Sequence, residues 1–121
     1  MPIDKRKIGL ELLKNSPGNM KTFLEDYLKK TESGEKLNGD LSDFDTCVEY
    51  IKKCCFDITG WMLWEMPSCY SFCFYNECTN KSFDLAVWNG EITPRYIASG
   101  NEEDASTIEE AIAKNETTEW C

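Results

Sequence analysis

Apolar residues recur at helical spacing through the first half of the chain and close to every second position through much of the rest. In residues 4–14, Ile8, Leu12 and Leu13 fall at helical spacing, and Asn15, Ser16 and Pro17 then break the pattern, which predicts a first helix. Ser16 reads as an N-cap with Pro17 at the first helical position of a second helix running to Lys30, with Met20, Phe23, Leu24, Tyr27 and Leu28 on its apolar face. Residues 31–40, holding Gly34 and Gly39 among charges, read as a loop. Ser42 is placed to cap a third helix, with Asp45 at its third position, where the helix dipole favours a carboxylate. Phe44, Cys47, Val48, Ile51, Cys54, Cys55 and Ile58 make its stripe.

After Gly60 aromatic and β-branched residues take over and the period falls towards two. Residues 61–65 form a first strand candidate, ended by Pro67 and Ser68. Residues 69–75 form a second, with Tyr70, Phe72 and Phe74 on one face and Cys69, Ser71, Cys73 and Tyr75 on the other, both largely apolar, as in a strand inside a sheet. A polar turn leads to a third strand over 82–88, where Phe83, Leu85 and Val87 point one way, and Asn89 and Gly90 make a hairpin turn. The fourth strand, 91–98, contains Pro94, which assigns it to a sheet edge or a bulge. Ser106 and Glu109 fit a capping box opening a short helix through about residue 114, with Ile108, Ala111 and Ile112 turned inward. The predicted fold is α+β: three N-terminal helices, a four-stranded antiparallel meander and a short C-terminal helix, with the helices on one face of the sheet. Trp61, Trp64, Tyr70, Phe72, Phe74, Tyr75, Phe83 and Trp88 are read as its aromatic core.

The chain has 121 residues, the usual size of one domain, and no repeat or linker divides it, so a single domain over 1–121 is expected. The start, charged from Asp4 onward, has no apolar run of signal-peptide length. The most apolar stretch, 61–74, is interrupted by Glu65, Pro67 and Ser68. A cytoplasmic location without membrane insertion is the expectation.

Histidine is absent, which removes Ser-His-Asp and Cys-His nucleophile activation and most catalytic zinc and iron sites. No Walker loop, G-x-G-x-x-G or EF-hand spacing occurs, and no cofactor is implied. The cysteines, Cys47, Cys54, Cys55, Cys69, Cys73, Cys78 and Cys121, are odd in number. Zinc knuckles are the sharper alternative, but Cys69 and Cys73 fall in a strand pattern. Most are therefore read as reduced, small, buried apolar residues with no metal, and Cys121 as an exposed thiol.

Charge changes the functional picture. Residues 1–60 carry ten basic and eleven acidic side chains, net −1, whereas residues 61–121 carry three and eleven, net −8. Such a field repels nucleic acid and anionic membranes and attracts a basic protein, although surplus carboxylates also serve solubility. Glu102, Glu103, Asp104, Glu109 and Glu110 are the candidate contacts, with Glu91 and the near-terminal Trp120 as additions. If the exposed side of the sheet is the binding face, Glu65, Glu77 and Asp84 gain importance.

A short, acidic, histidine-free α+β chain, rich in Trp and Cys and without a catalytic signature, resembles the immunity proteins of bacterial contact-dependent inhibition and other polymorphic toxin systems. The likeness is one of type over the whole chain, and no motif assigns a residue its role. It implies a cognate inhibitor, not an enzyme, that covers the active site or substrate surface of a toxin domain, typically a basic nuclease acting on tRNA or DNA. Two other classes fit the sequence. One is a phage-type anti-defence or regulatory inhibitor mimicking nucleic acid. The other is a small enzyme using Asp84, Glu65 or Cys73 in a sheet-lined pocket.

Overall fold

The computed structural model describes residues 4–68 and 70–116, and Trp120, Cys69 and Cys121 lie outside them. The element order is α1 (Lys5–Asn15), α2 (Gly18–Ser33), α3 (Asp40–Lys53), β1 (Trp61–Ser68), β2 (Ser71–Asn76), β3 (Lys81–Trp88), β4 (Glu91–Ala98), β5 (Asn101–Asp104) and α4 (Ile108–Lys114). The α+β class and the three leading helices agree with the sequence pattern, but the antiparallel meander has five strands in the order β1-β2-β3-β4-β5.

The helix ends differ from expectation for local reasons. Ser16 does not cap α2: its hydroxyl donates to the Leu12 carbonyl and accepts from the Leu63 N–H, so it closes α1 and ties it to β1. Pro17 takes the N-cap position instead. Gly34, at φ +76, ends α2 in the left-handed region open to glycine, so the helix reaches Ser33 and the loop shortens. Ser42 does not cap α3, whose cap is Gly39, three residues earlier; Asp40 and Asp43 occupy its first turn. Asp45 turns inward to accept from the Tyr27 hydroxyl at 2.7 Å and from Lys5 at 3.0 Å. The helix stops at Lys53, which leaves Cys54 and Cys55 exposed beyond the stripe.

In the sheet, β1 continues through Pro67 to Ser68, with register shifts absorbing Trp64 and the residues before Ser68. β4 is not an edge, because β5 pairs along its outer side. Pro94 is accommodated at the last rung: its carbonyl accepts from Ala105 just past the end of β5, so its missing N–H faces the point where that ladder stops. Thr107, not Ser106, caps α4 by accepting from the Glu110 N–H, while the Glu110 carboxylate accepts from the Ser106 N–H.

One sheet face carries the core. Leu63, Phe72, Phe74, Phe83, Leu85 and Val87 join Ile8 and Leu12 of α1, Leu24 and Tyr27 of α2, Phe44, Val48 and Ile51 of α3 and Ile108 and Ala111 of α4 in one buried cluster. Ile112 packs against its margin. The helices therefore cover a single face, and the Phe74 and Phe83 rings stack at 5.1 Å in the middle of it. Among the described residues no helix is long and apolar enough to cross a membrane.

Candidate functional site

Strand register sets Glu65, Cys73, Asp84, Arg95 and Asp104 in one row across all five strands. Side chains alternate along a strand, so this row lies on the face turned away from Phe83 and Leu85 and hence from the helices. At about 4.8 Å per strand it spans about 19 Å. Met62, Ser71, Cys73, Ser82, Asp84 and Ala86 are buried on this face.

Large aromatic rings flank the row towards the two ends of β2. Trp64, 44% exposed, meets Tyr75 edge-on at 5.6 Å. Trp88, 68% exposed, meets Tyr70 at 5.9 Å. Trp61, Phe72, Phe74 and Phe83 lie in the core as expected, but Trp64, Tyr70 and Trp88 are surface residues. Trp88 follows Val87 in β3 and so faces the other way.

The charges on this face centre on Arg95. Its Nη1 lies 2.9 Å from Glu102 and its Nε 3.2 Å from Asp104, although that Nε has no well-directed hydrogen bond. Asp84, its cross-strand partner, is 1% exposed, and its Oδ1 has no hydrogen-bond donor. Burial, and after it the Glu102 charge, pushes the Asp84 carboxyl up from 3.8 to about 7, against the opposing pull of Arg95 and of the Phe72 and Leu85 N–H groups.

The acidic residues singled out by sequence are not gathered into one cluster. Glu102, Glu103 and Asp104 all lie exposed on β5, but alternation divides them: Glu102 and Asp104 hold Arg95, while Glu103, in register with Tyr96, turns to the side where α4 packs. Glu109 and Glu110 stand in the first turn of α4. Glu110 is occupied by the Ser106 N–H and lies 4.0 Å from Lys114, whereas Glu109 is exposed and adds its charge to burial and Cys54 in raising Tyr50 of α3. Glu91 opens β4 at the opposite hairpin, lining a 730 Å³ groove with Tyr50, Lys53 and Ile92. Trp120 lies outside the described residues.

Sequence reasoning missed the exposed tryptophans, Tyr70 and Arg95. The signal for Trp88 was its parity with Asp84 and Ala86. For Trp64 there was none, because the irregular pairing of β1 is not written in the alternation. Cys54, Cys55 and Cys78 are exposed, contrary to the buried reading, while Cys47 and Cys73 are buried. Among the described residues no group of three or more Cys, Asp or Glu side chains is arranged to hold a metal ion.

No protein-family model matches this chain, and neither a curated protein nor a solved structure matches it.

Proposed function

We propose that this protein acts by binding a basic protein partner through the sheet face opposite its helices, as an inhibitor of the immunity-protein type that covers the active site or substrate surface of a toxin nuclease in the cytoplasm. The observation that carries the reading is the presence, on one face, of exposed aromatic rings and a carboxylate margin: Trp64, Tyr70 and Trp88 flank the row, and Glu102 and Asp104 hold its β5 end. Interfaces draw their affinity from a few such aromatic anchors, while complementary charge at the rim steers the encounter. The net −8 of residues 61–121 gives that steering its sign. Glu103 and Glu109 extend the acidic surface around the β5 edge.

An enzyme reading draws on Asp84, but a raised carboxyl needs a cleft to meet a substrate. Among the described residues, the Tyr50 groove and the cavities that Lys5 and Lys7 of α1 help to line are formed by other side chains than Glu65, Cys73 or Asp84.

Co-expression with the adjacent upstream reading frame tests the proposal. A stoichiometric complex with a basic protein is expected, weakened by salt and by Glu103→Lys with Glu109→Lys, and lost in Trp64→Ala with Trp88→Ala. Retention of no partner at low or high salt, or binding indifferent to these changes, would overturn it.

A further inference from the structure

Two atoms on neighbouring side chains of this face are buried without a hydrogen bond, and they are complementary: the Oδ1 acceptor of Asp84 and the Nε donor of Arg95. The two residues are direct cross-strand partners on the same face, which sets their Cβ atoms about 5 Å apart, well within reach of a guanidinium and a carboxylate. Each unsatisfied buried group costs about 1–3 kcal/mol. Arg95 nevertheless turns the other way, to Glu102 and Asp104, whose side chains are 48% and 75% exposed against 21% for its own. The β5 carboxylates are open to an outside cation, and Arg95 is half withdrawn behind them.

We propose that Arg95 is an internal stand-in for a partner's Lys or Arg side chain: when that side chain takes Glu102 and Asp104, Arg95 transfers to Asp84, and Asp84 gives up its proton to solvent. The inference rests on the basic-partner reading and adds to it a seat for one cationic side chain and a proton balance. The exchange leaves the net charge of the group unchanged, since one carboxylate is created as one cation arrives. It makes binding stronger as pH rises towards neutrality, because the Asp84 proton must leave. Among the described residues, the groups near Asp84 on its own face are Cys73 and, beyond it, Glu65 along the row, Arg95 on β4, and Glu102 and Asp104 on β5; on the core side of the sheet, the Cys47 thiol of α3 is raised first by burial and then by the Asp84 charge. Arg95 is the only cation among them.

The test needs no partner. Glu102→Gln with Asp104→Asn removes the outer seat, and the Asp84 carboxyl is followed by carbon NMR during a pH titration, in the Arg95 protein and in an Arg95→Gln background. Expected is a fall of about one unit or more in the Asp84 midpoint with Arg95 present and a clearly smaller fall without it, since an adjacent opposite charge is worth that much. The Arg95 Nε–H resonance should then move with the Asp84 titration in the double variant and stay still in the parent. If Arg95→Gln does not fold, Arg95→Met, which keeps the aliphatic stem, takes its place. Equal falls in both backgrounds, or an Nε–H signal that ignores Asp84, would overturn the exchange. That outcome would leave the basic-partner reading standing, whereas failure to recover a partner leaves the Asp84 titration unaffected.

Discussion

The Ser16 hydroxyl accepts the Leu63 N–H at 2.9 Å while donating to the Leu12 carbonyl at 2.6 Å. One buried side chain thus closes α1 and satisfies a β1 backbone donor 47 residues away. Asn15 makes a parallel tie by donating to the Trp61 carbonyl. Ser16→Ala leaves the Leu63 N–H unpaired in a dry site, for an expected loss of about 1–3 kcal/mol. Chemical denaturation read by tryptophan fluorescence measures it, and a change within a few tenths of a kcal/mol would show that the tie contributes little.

Tyr27 and Asp45 bring α2 and α3 together from inside. The Tyr27 hydroxyl donates to Asp45 at 2.7 Å, and Lys5 of α1 reaches the same carboxylate at 3.0 Å and Glu49 at 2.8 Å. Burial first, and the Asp45 carboxylate next, hold the Tyr27 phenol far above its ordinary range, and Tyr50 is pushed up to about 12. Tyr27→Phe should cost about 1–2 kcal/mol, because Asp45 keeps Lys5 as a partner. In the parent protein, an ultraviolet titration to pH 11 should show Tyr27 silent and Tyr50 only beginning to ionise; a normal ionisation of the ring lost in Tyr27→Phe would contradict the buried pairing.

The order of helices and strands was legible because Ile8, Leu12, Phe44 and Ile51 repeat at helical spacing, and Phe83, Leu85 and Val87 alternate. β5 was not legible: Asn101, Glu102, Glu103 and Asp104 have no apolar face, and the strand exists because β4 offers them a ladder. Ser99 and Gly100, with φ +53 and +77, were its one signal, a two-residue hairpin turn of the kind that Asn89 and Gly90 make before β4. The candidate site was half legible for the same reason. Charge located the acidic stretch, but the division of Glu103 from Glu102 and Asp104 follows only once the stretch is a strand. The caps moved by one to three residues, in the case of Ser16 because its hydroxyl has a tertiary partner that local rules do not see.

Thiol reactivity follows from the same geometry. Cys54 and Cys55 lie exposed past the end of α3, and Cys78 lies in the β2–β3 turn, whereas Cys47 and Cys73 are wholly buried, the Cys47 thiol raised well above its usual range by desolvation. Brief alkylation of the native protein, read peptide by peptide by mass spectrometry, should label positions 54, 55 and 78 before 47 and 73, which become reactive on unfolding. Early labelling of Cys73 would mean that the sheet face opens readily.

Asp84 gives stability a pH dependence opposite to that of a salt-bridged carboxylate. Its folded value of about 7 lies above the ordinary 3.8, so between these values the folded state holds a proton that the unfolded state has lost. Stability from this group is therefore full below about pH 4, falls as pH rises to about 7, and stays low beyond, by an amount on the order of a few kcal/mol. Asp84→Asn keeps the shape and removes the charge. Parent and variant should be similar near pH 4, and the variant should become the more stable by pH 8, as measured by paired urea denaturations across that range. Because every other carboxylate is common to both proteins, their difference isolates Asp84. A difference that stays constant from pH 4 to pH 8 would mean that Asp84 ionises normally in the fold, and the proton release assigned to the Arg95 exchange would go with it.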